Sequence, residues 1–567
     1  MPKLLVFLLL IICWGGSCTQ TEQLTGATDS VADFNPTIDF RPNILWLVAE
    51  DLSPYIPAFG DSTITTPHLD WLASQGVCYD HVYSPAPVCA PARAALATGM
   101  YPTHIGANHM RTGPWVTGNV SSEAVAMAGR FMPDGIVPYE AVPPPEVKMM
   151  SEYLRIEGYY CTNNAKEDYQ FKKPLTAWDE SSPDAHWRNR APGQPFFSVF
   201  NFEVTHESQI WAKADDSLRV KENLKVPVPP YLPDTEIGRK DIRRMYSNIK
   251  EMDFQVSEIL KQLEEDGLLE KTIIFWFTDH GGPLPRQKRL LYDAGIKVPM
   301  IIRFPEKQFA GSREDRMISF IDFAPTVLSL AGIEPDNHFD GQAFLGNFKV
   351  NQERNYIFAA ADRFGASYDT NRAVRDTRFK YIKYYQPEKS MFLHTQYRDQ
   401  MPIMQELYRL HDENQLTAVQ AQWFRESKPQ EELFDLETDP HEINNLANDP
   451  KYSEKLKELR DACTQWVDDI DDKNLGAENA LIRQFWPNRE QPSTEPPSVI
   501  LKDNRITVTC ATPGASVGYK IVEPGQDSGP HHWNVYSAHF EASPGKEVVM
   551  IAHRIGFSPS NIIRTAM

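Results

Sequence analysis

Three runs of apolar residues stand out along the first half of the chain, and each leads to a polar residue able to do chemistry. Ile44-Leu45-Trp46-Leu47-Val48-Ala49 runs into Glu50 and Asp51. Phe196-Phe197-Ser198-Val199-Phe200-Asn201-Phe202 leads towards His206, and Ile273-Ile274-Phe275-Trp276-Phe277-Thr278 runs into Asp279 and His280. Hydrophobicity that is continuous rather than alternating predicts strands buried on both faces of a mostly parallel sheet. Between these runs, helical patterns cover Val147 to Gly158 and Asp241 to Gly267, the second opening on an acid and closing on a glycine suited to a helix end. Strands alternating with helices predict an α/β fold, a large mixed, mostly parallel sheet sandwiched by helices. Ligands of such sheets bind beyond the carboxyl ends of the strands, which is where these polar residues fall.

Downstream the pattern changes twice. From about Asn355 to Asn474 a strand at Phe379–Lys383 and a helix from Pro450 to about Asp471 predict a smaller α+β subdomain. Gln491-Pro492-Ser493-Thr494-Glu495-Pro496-Pro497 reads as a linker. Beyond it, short alternating strands at Arg505–Cys510, Ser516–Ile521 and Glu547–Ala552 predict a small β-sandwich. The expected divisions are 41–350, 351–490 and 491–567.

The first forty residues bear on compartment. Met1-Pro2-Lys3 precedes an apolar run from Leu4 to Trp14, the length of a signal-peptide core and too short to span a bilayer stably. Gly15-Gly16-Ser17-Cys18 resembles a bacterial lipoprotein signal with Cys18 lipidated, plain cleavage nearby being the alternative. The expectation is a leader over 1–18, a polar tether over 19–40, and an exported protein in the periplasm or on the outer membrane. No other segment is long and apolar enough to cross a membrane. Beyond Cys13 and Cys18 only Cys78, Cys89, Cys161, Cys463 and Cys510 remain, spaced like neither a disulfide framework nor a zinc site. With 57 Lys and Arg against 76 Asp and Glu, the net charge of -19 excludes a diffuse field attracting nucleic acid. An anionic substrate therefore requires basic residues gathered in one pocket.

Cys89-Ala90-Pro91-Ala92-Arg93 precedes the helix-forming run Ala94-Ala95-Leu96-Ala97, which puts Cys89 at a helix N-terminus, where free N–H groups and the dipole favour an anion. Taken alone, this is a nucleophile, an anion site or a structural cysteine. The Cys-x-Pro-x-Arg motif followed by Ala-Ala-Leu-Ala-Thr-Gly-Met-Tyr-Pro resembles the signature of the formylglycine-dependent sulfatases of the alkaline-phosphatase superfamily. The resemblance extends from about Asn43 to Ala447 and includes Tyr292-Asp293-Ala294-Gly295-Ile296-Lys297-Val298-Pro299 and Glu432-Leu433-Phe434-Asp435-Leu436-Glu437-Thr438-Asp439-Pro440.

That resemblance implies that a maturation enzyme oxidises Cys89 to formylglycine, whose hydrate attacks sulfur and later expels sulfate. Arg93 would hold this nucleophile. Glu50, Asp51, Asp279 and His280, with the modified Cys89, would surround a metal. Mostly oxygen donors suit a hard cation, Ca2+ or Mg2+. The family has Asp where Glu50 stands and Asn where His280 stands. Lys166 matches a sulfate-binding lysine, although the family's histidine two residues later is Asp168 here. His206 takes the position of a general acid and Lys288 that of a second sulfate contact. His104, His109 and Arg111, just past the nucleophile helix, are candidate sugar or sulfate contacts, with surface placement as the alternative.

The Glu50-Asp51 pair and Asn164-Ala165-Lys166-Glu167-Asp168 look most similar to the branch with N-sulfoglucosamine sulfohydrolases and bacterial polysaccharide sulfatases, leaving O-sulfate and N-sulfamate substrates open. The C-terminal module resembles the β-sandwich of chitobiase-type enzymes. The resulting expectation is hydrolysis of a sulfated oligo- or polysaccharide, without nucleic acid and with the membrane involved only through a lipid anchor. The alternatives are a phosphoester or phosphonate hydrolase of the same superfamily, and a surface glycan-binding lipoprotein whose Cys89 is never matured.

Overall fold

The computed structural model describes residues 34–113, 132–502, 505–526, 529, 532–541 and 544–567. The expected leader, Cys18 and the tether as far as residue 33 lie outside the described residues. Among the described residues no helix is long and apolar enough to cross a membrane.

Nine strands form the central sheet: β1 (Asn43–Ala49), β2 (Val77–Tyr83), β3 (Tyr160–Asn164), β4 (Glu180–Ser181), β5 (Phe196–Phe202), β6 (Thr272–Thr278), β7 (Lys297–Arg303), β8 (Ser312–Glu314) and β9 (Ile318–Ser319). Their order is β4-β3-β5-β1-β6-β7-β2-β8, with β9 beside β2. Pairing is parallel from β4 to β6 and antiparallel on both sides of β7. The three apolar runs are the three central neighbours: Ala49 of β1 lies opposite Phe202 of β5 and Thr278 of β6. One register thus delivers Glu50, His206 and Asp279 to the same carboxyl edge.

The two faces of β1 explain its unbroken hydrophobicity. Leu45 and Leu47 share a core with Met245, Ile249 and Met252 of the helix Glu236–Glu265. Trp46, on the opposite face, meets Phe197, Phe277 and Phe323 edge-on, with centroids 5.1, 5.3 and 5.8 Å away. Phe323 opens the buried helix Phe323–Leu330. Both faces of the sheet are therefore covered, as an α/β sandwich requires.

Helix boundaries moved. The helix expected from Asp241 begins at Glu236, because the Thr235 hydroxyl accepts from Gly238 N at 3.3 Å and caps it. That expected over Val147–Gly158 is confined to Met150–Ile156, started by Glu152, which accepts from Met149 N at 3.1 Å.

A second sheet, antiparallel, runs β10 (Ile357–Ala361), β11 (Asn371–Arg375), β12 (Phe379–Tyr384), β13 (Glu431–Asp435). The helix Ser453–Asp469 covers it through Leu456, Leu459 and Cys463. Lys380 of β12 is fully buried, 2.5 Å from Asp293 just before β7 and 2.9 Å from Glu442 in the segment after β13. The last residues form two small antiparallel sheets closing on Ile506, Val508, Val517, Val548 and Met550. The segment expected to be a linker is packed: Thr494 N donates to Ser558 O at 2.9 Å and Gln491 Nε2 to Glu140 at 3.0 Å. Prolines keep it extended, and these two bonds fasten it to neighbouring parts of the chain.

Candidate active site

The turn after β1 is bent by Asp51, which takes a left-handed φ of 48°. Its amide donates to Asp279 Oδ1 at 3.1 Å, so the ends of β1 and β6 are tied through the residues meant to act together. Both Asp51 oxygens accept from Lys288 Nζ, at 2.9 and 2.7 Å, and Oδ2 also accepts from Glu207 N at 2.7 Å. Burial opposes ionisation of Asp51, but Lys288, His206 and His280 outweigh it and hold its carboxyl well below the usual range.

Cys89 is the first residue of the helix Cys89–Thr98, every residue of which is buried, and Val88 before it is extended. The placement read from Pro91 and the alanine run therefore holds. Arg93, one turn on, does not hydrogen-bond the cysteine. Its guanidinium instead donates to Glu50 at 3.1 Å, to Asp279 at 3.1 Å and to Asn201 Oδ1 at 2.7 Å. The helix is thereby pinned to β1, β5 and β6.

Lys166 Nζ lies 2.7 Å from Glu50 Oε1. Burial lowers its pKa, but Glu50 and Cys89 more than reverse this, so it stays protonated. His206 projects from the turn after β5. Its Nδ1 is 2.8 Å from Ser208 Oγ and its Nε2 is 3.2 Å from Lys288 Nζ. Burial and then Lys288 lower its pKa, favouring a neutral ring whose Nε2 accepts from the ammonium.

Three residues of this cluster, Glu207, Arg289 and Asn201, were missed. Glu207 sits 3.3 Å from Lys288 and forks with Arg289 at 2.8 and 2.5 Å. Despite burial, Arg289 and Lys288 hold it well below the usual carboxylate range. Asn201 links Arg93 to Asn163 and to Asn164 O, both at 3.1 Å. A charged residue directly after a candidate histidine, and a polar residue inside an apolar strand, were the available signals.

Donor atoms of Asp51, Asp279 and His280 lie within 4.8 Å of one another, all three residues fully buried, and a second group joins Asp51, His206 and Glu207. Glu50 belongs to neither group, because Arg93 and Lys166 occupy its carboxylate. Among the described residues His280 Nε2 is buried without a directed hydrogen bond, although Asp51 Oδ1 is 3.0 Å away. Burial pulls the His280 pKa down, but the charges of Asp279 and Asp51 push it up to about 10. An imidazole forced to carry a proton between two carboxylates occupies space where a cation would be at home, so these residues fit a divalent metal.

His104, His109 and Arg111 do not join the cluster. His104 Nδ1 lies 3.0 Å from Asp340, whose hydrogen bond raises its pKa. His109 is buried with neither ring nitrogen bonded among the described residues, edge-on to Tyr368 at 6.4 Å, and burial lowers its pKa to about 4. Arg111 approaches the rim, 3.9 Å from Asp168.

Residues 42–333 match the family model described as sulfatase, and residues 286–430 match that of the N-sulphoglucosamine sulphohydrolase C-terminal region. The chain is 50% identical over 560 residues to an ulvan-active sulfatase of Formosa agariphila, covering 92% of this chain and 91% of that protein. It is 24% identical over 495 residues to the human N-sulphoglucosamine sulphohydrolase, covering 80% and 95%. A solved structure in complex with its substrate D-glucosamine-2-N,6-O-disulfate superposes with a TM-score of 0.52 at 16% identity, over 77% of this chain and 99% of that one.

Proposed function

The chain belongs to the sulfatase family, and from that premise we propose that it is an exported enzyme releasing inorganic sulfate from a sulfated polysaccharide of the ulvan kind. The observation that carries the reading is the meeting of Cys89, at a helix start, with four carboxylates and four fixed cations: Glu50, Asp51, Glu207 and Asp279 against Arg93, Lys166, Lys288 and Arg289. Those eight charges balance one another, so a bound dication would offset the charge of a sulfate dianion held beside them.

Cys89 acts after oxidation to formylglycine by a maturation enzyme. One hydroxyl of the aldehyde hydrate attacks sulfur while the S–O bond to the sugar breaks, and the leaving oxygen takes a proton from the His206–Lys288 pair. Loss of the proton from the second hydroxyl then re-forms the aldehyde as the C–O bond to sulfate breaks. Arg93 holds the sheet ends and the nucleophile helix in register, and Lys166 and Lys288 bind sulfate oxygens. Asp51, Asp279 and His280 would hold the divalent cation, Ca2+ by donor type, which when bound neutralises charge building on sulfate.

The leader pattern before Cys18 and the 50% identity to an ulvan-active enzyme support export and substrate class. Protein matured in a competent host is tested by the mass of its Cys89 peptide and by sulfate release from ulvan oligosaccharides. An intact thiol, or phosphate released faster than sulfate from matched esters, defeats the reading.

A further inference from the structure

Beside the reacting centre stand two aromatic rings that the chemistry above does not use. Trp211 lies in the short helix Ser208–Ala212 that follows His206, and Tyr397 comes from the long connection between β12 and β13. The Tyr397 ring is 6.3 Å from that of His206 and 5.2 Å, edge to face, from that of Trp211. Both are half-buried, unlike the fully buried floor formed by Asp51 and Asp279.

Tyr397 differs from two tyrosines near it in the chain. Tyr384 donates to Glu432 at 2.7 Å and Tyr408 to Asp399 at 2.7 Å, whereas the Tyr397 hydroxyl has no partner among the described residues. Its position is nonetheless rigid. The next residue, Arg398, is buried over the rings of Trp423 and Phe392, at 4.8 and 5.5 Å, and donates to Leu393 O at 3.2 Å. Backbone bonds from Arg398 N to Thr395 O and from Met401 N to Arg398 O close the turn on either side. A fixed, half-open ring with an unused hydroxyl is a surface prepared for an amphipathic partner.

We infer that Tyr397 and Trp211 form a stacking subsite for the pyranose ring that bears the scissile sulfate. The inference rests on the proposed reaction, in which His206 serves the oxygen of that same ring and so fixes where the ring must lie. The C–H face of a pyranose packs on aromatic carbon, and a ring hydroxyl completes the Tyr397 hydroxyl. Such contact is independent of charge, which matters in a protein of net charge -19 that repels a polyanion outside its catalytic pocket.

The test is binding to Cys89→Ala protein, which leaves the ligand uncut, with size-fractionated ulvan oligosaccharides and inorganic sulfate as separate calorimetric probes. Adding Tyr397→Ala or Trp211→Ala is expected to weaken oligosaccharide binding about tenfold and leave sulfate binding unchanged. Tyr397→Phe keeps the ring and the fold, and is expected to weaken it only two- to threefold, about the loss of one exposed hydrogen bond. Unchanged oligosaccharide affinity in both alanine variants overturns the subsite, as does an equal fall in sulfate affinity or no binding by the Cys89→Ala parent. Failure of the mature enzyme to release sulfate from any glycan would sink the proposed reaction instead, while the ring dependence of binding would still be read from these titrations.

Discussion

At the scale of single residues, the site shows how one side chain's duty depends on its neighbours. His206 accepts from Lys288 at 3.2 Å, so the proton for the leaving oxygen belongs to the pair. His206→Gln should therefore cost about 10²–10⁴-fold in kcat on a sugar sulfate, whose alkoxide leaves poorly. It should cost far less on nitrophenyl sulfate, whose leaving group needs no acid; equal losses on both would show that His206 positions rather than protonates. Asp241, outside the site, caps the helix Pro402–Asp412 by accepting from Ile403 N at 2.6 Å. Burial nevertheless raises its pKa to about 7. The folded chain then holds a proton that the unfolded chain releases near its ordinary value, so this contribution is full below about pH 4 and is lost as pH rises to 7. Asp241→Asn, whose amide oxygen still accepts from Ile403, should stabilise the protein by about 1–3 kcal/mol at pH 8 and by nothing at pH 4, read from urea unfolding at the two pH values.

At the scale of elements, the catalytic groups are held by strand ends and the loops packed behind them. Gly281 follows His280, and a Cβ there would lie 2.2 Å from Ala294 O, a backbone atom that cannot step aside. The loop bearing Asp279 and His280 is thus fitted against the segment after Lys288, with Gly281 N donating to Gly295 O at 2.9 Å. Gly281→Ala should displace the donors, raising the calcium concentration needed for half-maximal activity at least about tenfold in a metal titration of the chelated enzyme. A normal calcium midpoint would mean that this loop does not set the metal site.

At the scale of the molecule, the second sheet is locked to the first through buried charge. Lys380 satisfies Asp293, Glu442 and Leu291 O at 2.5, 2.9 and 3.0 Å with no exposure to solvent. Lys380→Met would leave Asp293 with Arg375 and Lys297 and remove the cation facing Glu442, and should destabilise the fold by about 3–5 kcal/mol. Tryptophan fluorescence and activity should then be lost at a lower urea midpoint; an unchanged midpoint would show the joint to be held by apolar packing. The same joint carries the β12–β13 connection, and with it Tyr397, to a site whose other parts come from the strand ends, helices and connections of the first sheet.

What could be read without the fold was local or periodic. Unbroken apolar runs marked β1, β5 and β6, because only strands covered on both faces tolerate such runs, and Pro91 with the alanines marked the start of the Cys89 helix. The polar residues closing those runs could be named as a set, because parallel strands deliver their carboxyl ends to one edge. Whole-chain similarity then confirmed the family, while the individual roles remain for the experiments above. Tertiary structure alone decided who pairs with whom. It gave Glu50 to Arg93 and Lys166 rather than to a donor cluster, brought in Glu207 and Asn201, set His104 against Asp340, and carried Tyr397 to His206 across 191 positions of sequence, the difference between 397 and 206. Pairings of this kind depend on the register and packing of segments far apart in the chain, and side-chain periodicity, which speaks only of a residue's own element, carries no information about them.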